Sequence, residues 1–260
     1  MAKHSSYQNM LLAVWVAATY LFLYVPLFIL MIFSFNSIAF PYRWESFSLR
    51  WYHELFSSVE IWHAAMNSLV VAACSVFFSL AAGLMFVLWN AQRRNDGMLA
   101  FFYPNLVVPE IVLAVGLLSF FVFFNVPFGL TSLIVGHTLL GLGYAIPILH
   151  ARVASIDYRL IEASLDLGAT QRQTFFKIII PLVAPSLVAA GLLVFILSLD
   201  DFLIAFFCAG TSAQTLSLYI YAMIRSGVSP VINALATCMA VVSSLLVAAF
   251  CSLRVRTRVW

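Results

Sequence analysis

Apolar residues along this chain do not alternate with polar ones. They run in six blocks, at about 10–35, 62–91, 98–124, 130–150, 178–207 and 231–253, and the segments between hold nearly all the charge. Each block is long enough for a helix to cross a hydrocarbon core about 30 Å thick at about 1.5 Å per residue. Long runs without period-two alternation argue against a transmembrane β-barrel. The pattern predicts six membrane-spanning α-helices. The fifth block is the least regular, because two adjacent acids, Asp200 and Asp201, stand inside "VFILSLDDFLIAFF".

Composition strengthens this reading. Hydrophobic residues make up 64% of the chain and charged residues 9%, with a mean hydropathy of +1.04; a soluble domain carries about 25% charged residues. Too few polar side chains are present to cover a globule in water. The first block exceeds the roughly 7–15 apolar residues of a signal peptide and has no small-residue cleavage site, so it reads as a retained helix. Cys74, Cys208, Cys238 and Cys251 are scattered through apolar runs and read as packing residues.

Charge sets the expected orientation. With the N-terminus inside, ten of the thirteen Lys and Arg residues fall on the inner side, and only Arg43, Arg50 and Arg225 lie outside. Both termini are then cytoplasmic. The outer loop at about 36–61 mixes aromatics with charges, and Trp44, Trp51 and Tyr52 suit a membrane–water interface. An anchoring loop and a docking surface for an outside partner both fit it.

The longest inner link, about 151–177, has its own pattern. Leu160, Ala163 and Leu167 recur on one helical face, and Glu162 and Asp166 share another. Gly168 suits a helix stop. Thr170 followed by Gln173 reads as a capping box that opens a second helix. The expected unit is a short helix, a tight turn, and a helix leading through Pro181 into the fifth span.

The spacing of Glu162, Ala163 and Ser164, then Gly168, then Ile178 and Pro181 resembles the E-A-A-x3-G-x9-I-x-L-P loop of ABC-importer permeases. Ser164 stands where Ala is usual, and Ile180 where Leu is usual. "YVPLFILMIFSFNS", "WY" at Trp51 and Tyr52, "LSLDDFLIAFF" and "GVSPVINALAT" extend the resemblance over most of the chain. They are similar to the polyamine (spermidine/putrescine) branch. The resemblance implies an all-α, six-span type I importer permease fold, residues 1–260 forming one transmembrane domain in the bacterial inner membrane. It implies that the loop around 157–177 is a coupling helix seated on an ATPase subunit, with Glu162, Ala163, Ser164, Gly168, Ile178 and Pro181 serving that contact. The implied partners are a homologous second permease, two ATP-binding subunits, a soluble extracytoplasmic binding protein and membrane lipid, with no nucleic acid. No cofactor is expected in this chain; ATP and Mg would be held by the ATPase subunits. Related permeases carry ferric ions, thiamine or opines, so the solute is left open.

The chemistry centres on three acids. A carboxylate in a bilayer costs at least about 2.5–3.5 kcal/mol, so such groups usually face a cavity or a partner. Asp200 and Asp201 lie in the outer half of the fifth helix. Glu110 follows Pro109 about a dozen residues into the third block, which predicts a position near the midplane. Spaced acids with apolar walls suit a flexible chain of ammonium groups and methylenes. The alternatives are that the paired acids end a helix at the water interface, and that a protonated Glu110 bonds a neighbouring helix. Adjacent helical residues point about 100° apart, so both aspartates can share one cavity only if the helix is locally unwound; one of them then braces the break. A proton-coupled secondary transporter also uses intramembrane acids, but leaves the inner loop unexplained. No H-E-x-x-H, G-x-S-x-G or G-x-x-x-x-G-K-[ST] motif is present, so an enzyme with its own ATP loop is not expected.

Overall fold

The computed structural model describes residues 2–38, 43–93, 96–100, 102–227 and 230–257. The described residues form helices and no β-strand, apart from one isolated bridge between Asn36 and Phe47. Along the chain the helices are α1 (Ala2–Phe33), α2 (Arg50–Ser57), α3 (Val59–Arg93), α4 (Asp96–Ala100), α5 (Glu110–Phe123) and α6 (Leu130–Ala154). They continue as α7 (Tyr158–Asp166), α8 (Gln171–Thr174), α9 (Ile180–Asp200), α10 (Leu203–Cys208), α11 (Leu216–Ser226) and α12 (Val231–Thr257). Four stretches are long and apolar enough to cross a membrane: Met10–Phe33, Val59–Ala91, Leu130–Ala154 and Gln171–Asp200. Glu110–Phe123 and Val231–Leu245 are shorter apolar helices.

Two expected blocks are broken. The third is not one helix. Pro104 sits in a 3-10 turn over Tyr103–Leu106, and Pro109 is extended (φ −55°, ψ 131°). Neither proline can donate to a helical ladder, so α5 starts afresh at Glu110. The acid expected deep inside a span is the first residue of a helix. The fifth block breaks at Asp201.

The chain divides into two compact units, Met1–Ile61 with Ile220–Trp260, and Trp62–Tyr219. In the first, α1 and α2 each contact α12. The apolar residues of Met10–Phe33 are unburied all round, as suits a helix facing lipid or another chain. The loop before α2 is built around Asn36, which is buried. Its amide donates to the Arg43 carbonyl at 2.8 Å and accepts from Glu45 N–H at 3.1 Å. Trp51 Nε1–H donates to the Asn36 carbonyl at 2.6 Å. Trp51 is therefore a buried post inside the loop, correcting its expected place at a membrane interface; of the three aromatics, Trp44 is exposed.

In the second unit α6 is the central post. One face packs with α5 and α10 through Ala114, Leu117, Phe121, Leu133, Ile204 and Cys208. Another packs with α3 and α9 through Val87, Ala145, Ile146, Leu149, Val183 and Val194. Small residues on α6 permit this approach. A Cβ on Gly136 would lie 2.7 Å from Ile204, and one on Gly141 would lie 2.7 Å from Val194 and also strike Ser79. Ser79 Oγ donates to the Thr138 carbonyl at 3.0 Å, the polar cross-link typical of close membrane helices.

Gly141→Val should therefore destabilise the unit by about 1–3 kcal/mol through overpacking. Gly116→Ala, whose new Cβ meets nothing within 4 Å, should be neutral or slightly stabilising through helix propensity. Thermal unfolding of the detergent-purified protein checks both; equal melting of Gly141→Val and wild type would contradict the close α3–α6–α9 packing.

Candidate functional site

Helix α9 ends because Asp201 turns extended (φ −62°, ψ 129°). Its carboxylate then starts the next helix. Oδ1 accepts from the Ile204 N–H at 3.3 Å and Oδ2 from the Ala205 N–H at 3.0 Å, covering two donors at the start of α10 that have no helical partner. Ser217 Oγ donates to the Asp201 carbonyl at 2.7 Å. Asp201 is buried, and backbone bonds to a charged acceptor of this kind contribute about 1.5–3 kcal/mol each. The sequence alternative in which an aspartate braces a helix break describes Asp201.

The other two acids differ. Asp200 is exposed and is the last residue of α9, where the helix dipole is already negative. Glu110 is exposed at the start of α5, and its carboxyl lies close to that of Asp201. Two carboxylates this close repel one another, which favours a cation beside them. Among the described residues no Lys or Arg forms an ion pair with any of the three. The structure thus brings Glu110 and Asp201 together, and leaves Asp200 exposed next along the chain.

Sequence reasoning missed the partners of Asp201. His137 on α6 is buried, its Nδ1 lies 2.8 Å from Ser198 Oγ, and its Nε2 lies 3.4 Å from Asp201 Oδ2. A histidine inside the apolar block 130–150 was the signal available. Among the described residues no group of three or more His, Cys, Asp or Glu side chains is placed to hold a metal ion.

A second candidate site lies in the loop after α6. Asp157 caps α7 by accepting from the Arg159 N–H at 3.0 Å. At its other end Gly168 has φ 83°. Ala169 N–H reaches the Ser164 carbonyl at 3.1 Å and Gly168 N–H reaches that of Leu165 at 2.9 Å, the paired bonds of a glycine-terminated helix. Thr170 and Gln173 form the expected capping box: Gln173 Oε1 accepts from the Thr170 N–H at 2.8 Å, and Thr170 Oγ1 from the Gln173 N–H at 3.3 Å. Ser164 is buried, and its hydroxyl bonds that of Thr174 at 2.8 Å. This tie joins α7 to α8. Alanine, usual at position 164 in the resembling loops, cannot make it.

The tie leaves the other side of α7 uncovered. Leu160, Glu162, Ala163 and Leu167 are exposed, Leu167 at 89%. Ile178 is half-buried in a π-helical turn over Phe175–Ile179, in which Ile180 N–H donates to the Phe175 carbonyl. Pro181 follows, and its missing N–H favours such a local widening. A cavity of about 450 Å³ lies beneath, lined by Leu88, Val153, Ile161, Leu165, Arg172 and Phe175 among others.

Apolar helices of spanning length and this helical architecture define a multi-pass α-helical membrane protein. Residues 75–256 match the family described as binding-protein-dependent transport system inner membrane component, and the chain belongs to that family. It is 36% identical over 238 residues to the spermidine/putrescine transport system permease protein PotC of Escherichia coli (strain K12), covering 89% of each chain. It is 34% identical over 226 residues to the putrescine transport system permease protein PotI of the same organism, covering 83% of this chain and 80% of that one. Among solved structures it superposes with TM-score 0.73 and 14% identity on a chain of a bacterial ABC transporter involved in the import of the acidic polysaccharide alginate, covering 95% and 96% of the two chains. With the MetNI methionine ABC transporter the TM-score is 0.57 at 22% identity, covering 75% of this chain and 94% of that one. At these identities the structural likeness speaks to the fold alone.

A β-branched residue at Gly168 would have to adopt the left-handed conformation, at a cost of about 1–2 kcal/mol. Gly168→Val should speed amide hydrogen exchange in α7, and Gly168→Asn should not. Equal exchange in both variants would mean that the turn does not hold the helix.

Proposed function

We propose that the chain is the permease subunit of an ATP-driven, binding-protein-dependent importer for polyamines. The observation that carries the substrate class is the acidic break: Glu110 in contact with Asp201, Asp200 exposed beside it in sequence, and no Lys or Arg paired to any of them among the described residues. The relatives named for spermidine and putrescine match along nearly the whole chain, which supports the same class. Asp201 spends its carboxylate on α10. Glu110 and Asp200 are the freer groups, and both are suited to ammonium groups spaced along a chain. The helix dipole at Asp200 adds to the attraction for a cation.

In this reading the chain is one transmembrane domain of six spans with both termini cytoplasmic. It pairs with a homologous permease, two ATPase subunits that bind ATP and Mg, and a soluble binding protein outside. The exposed side of α7, with Glu162 and Leu167, meets the ATPase. Ser164, Gly168 and Pro181 keep the loop rigid enough to be pushed as a unit, and Ala163 and Ile178 lie on its contact and buried sides. ATP binding shifts the helices between inward-open and outward-open states of different polyamine affinity. The chain catalyses no bond chemistry itself.

Charge removal tests the path. Glu110→Gln and Asp200→Asn keep shape and hydrogen bonding. Each should lower spermidine uptake into proteoliposomes holding the whole complex by about ten- to a hundred-fold, as for loss of a charged contact of about 1.5–3 kcal/mol. Putrescine, with fewer charges, should lose less. Wild-type rates in both variants would leave these acids without a transport role.

Topology is tested by single cysteines in a background lacking the native four. A cysteine at the exposed Thr211 should react with a membrane-impermeant thiol reagent in intact cells, and one at the exposed Asp166 should not. Labelling at position 166 would reverse the orientation.

A further inference from the structure

Asp201 has more partners than a helix stop requires. Two backbone N–H groups of α10 fix it from one side, and Glu110 meets it from another. The remaining contact comes from α6. His137 is 1% exposed, its Nδ1 is 2.8 Å from Ser198 Oγ, and its Nε2, which makes no hydrogen bond, lies 3.4 Å from Asp201 Oδ2. A leucine would fill this interior site without the desolvation cost of a polar ring. The imidazole is better explained by what its two nitrogens reach. Ser198 and Asp201 are three residues apart, one turn of α9, and a single ring spans them. With the proton on Nε2, Nδ1 accepts from the Ser198 hydroxyl and the positive N–H edge of the ring lies beside the Asp201 carboxyl, a close polar contact rather than a hydrogen bond.

We infer that His137 is a positioning residue for the transport path: it ties the last turn of α9 to α6 and holds the Asp201 carboxyl against Glu110. Its site is distinct from the acids that meet the cation, and it rests on the polyamine reading above. Because α6 is the post on which α9 and α10 also pack, the ring ties the charge spacing at the break to the scaffold rather than to a mobile side chain. A cation arriving at Glu110 then lies near a second, buried carboxyl at a fixed place. Without the ring, only the α10 N–H groups hold the Asp201 carboxyl, and its distance from Glu110 is less tightly set.

The two amide side chains separate this role from plain packing. Glutamine places its amide nitrogen near the position of Nε2 and restores an N–H beside Asp201. Asparagine reaches only as far as Nδ1, so it can face Ser198 but not Asp201. The complete complex in proteoliposomes is assayed at saturating loaded binding protein for spermidine uptake, ATP hydrolysis and thermal stability. His137→Asn should lower uptake about ten-fold while binding-protein-stimulated hydrolysis persists, so more ATP is spent per spermidine. His137→Gln should stay within about two-fold of wild type. Equal uptake in the two variants overturns the proposal, as does a proportional fall of uptake, hydrolysis and melting temperature in both, which would make the ring a packing group only. If the wild-type complex takes up neither spermidine nor putrescine, the polyamine reading fails and this role fails with it.

Discussion

The acceptance of two α10 backbone N–H groups by one buried carboxylate, Asp201, governs the rest of this site. A long apolar helix has no reason of its own to stop at a buried position. Stopping exposes carbonyls at one end and N–H groups at the other, each costly where water is scarce. Asp201 offsets the second cost by capping α10, and Ser217 bonds its carbonyl on the other side. The break in turn frees Asp200 from a helix interior and brings Asp201 within reach of Glu110. The acidic character of the site and the irregular backbone are one feature.

Close packing around α6 lets that break persist. Gly136 admits Ile204 of α10, and Gly141 admits Val194 of α9, so both sides of the break rest on one helix. Ser132 Oγ adds a bond to the Cys208 carbonyl at 2.8 Å, near the end of α10. In lipid, apolar burial gives little drive between helices, and small residues with interhelical hydrogen bonds must supply it. The loop after α6 uses a different economy. Its helix is fixed by caps, a left-handed glycine and the Ser164–Thr174 bond, while an apolar face stays open. That build suits the coupling role proposed for it.

Much of this was legible in the sequence, and the misses have physical causes. Block length located the long helices because hydrocarbon thickness fixes how many apolar residues a span needs. The loop around Gly168 was legible in detail, since capping boxes and glycine stops are local rules. The third block misled because hydropathy does not register backbone donors: Pro104 and Pro109 leave it apolar yet break it, which moved Glu110 from a span interior to a helix start. Trp51 looked interfacial because composition cannot tell an aromatic facing lipid from one buried against Asn36. His137 was hidden for the opposite reason. Its partners lie 61 and 64 positions away, on a helix whose register relative to α6 no local pattern encodes.

In the proposed function the cation passes at the broken end of α9. This path is tested most directly by a high-resolution structure of the complete complex with spermidine, trapped while the binding protein is docked. Density is expected for an extended polycation with ammonium groups within about 4–6 Å of Glu110 and Asp200, with Asp201 still capping α10. Spermidine density elsewhere in the complex, with Glu110 and Asp200 facing lipid, would contradict this path.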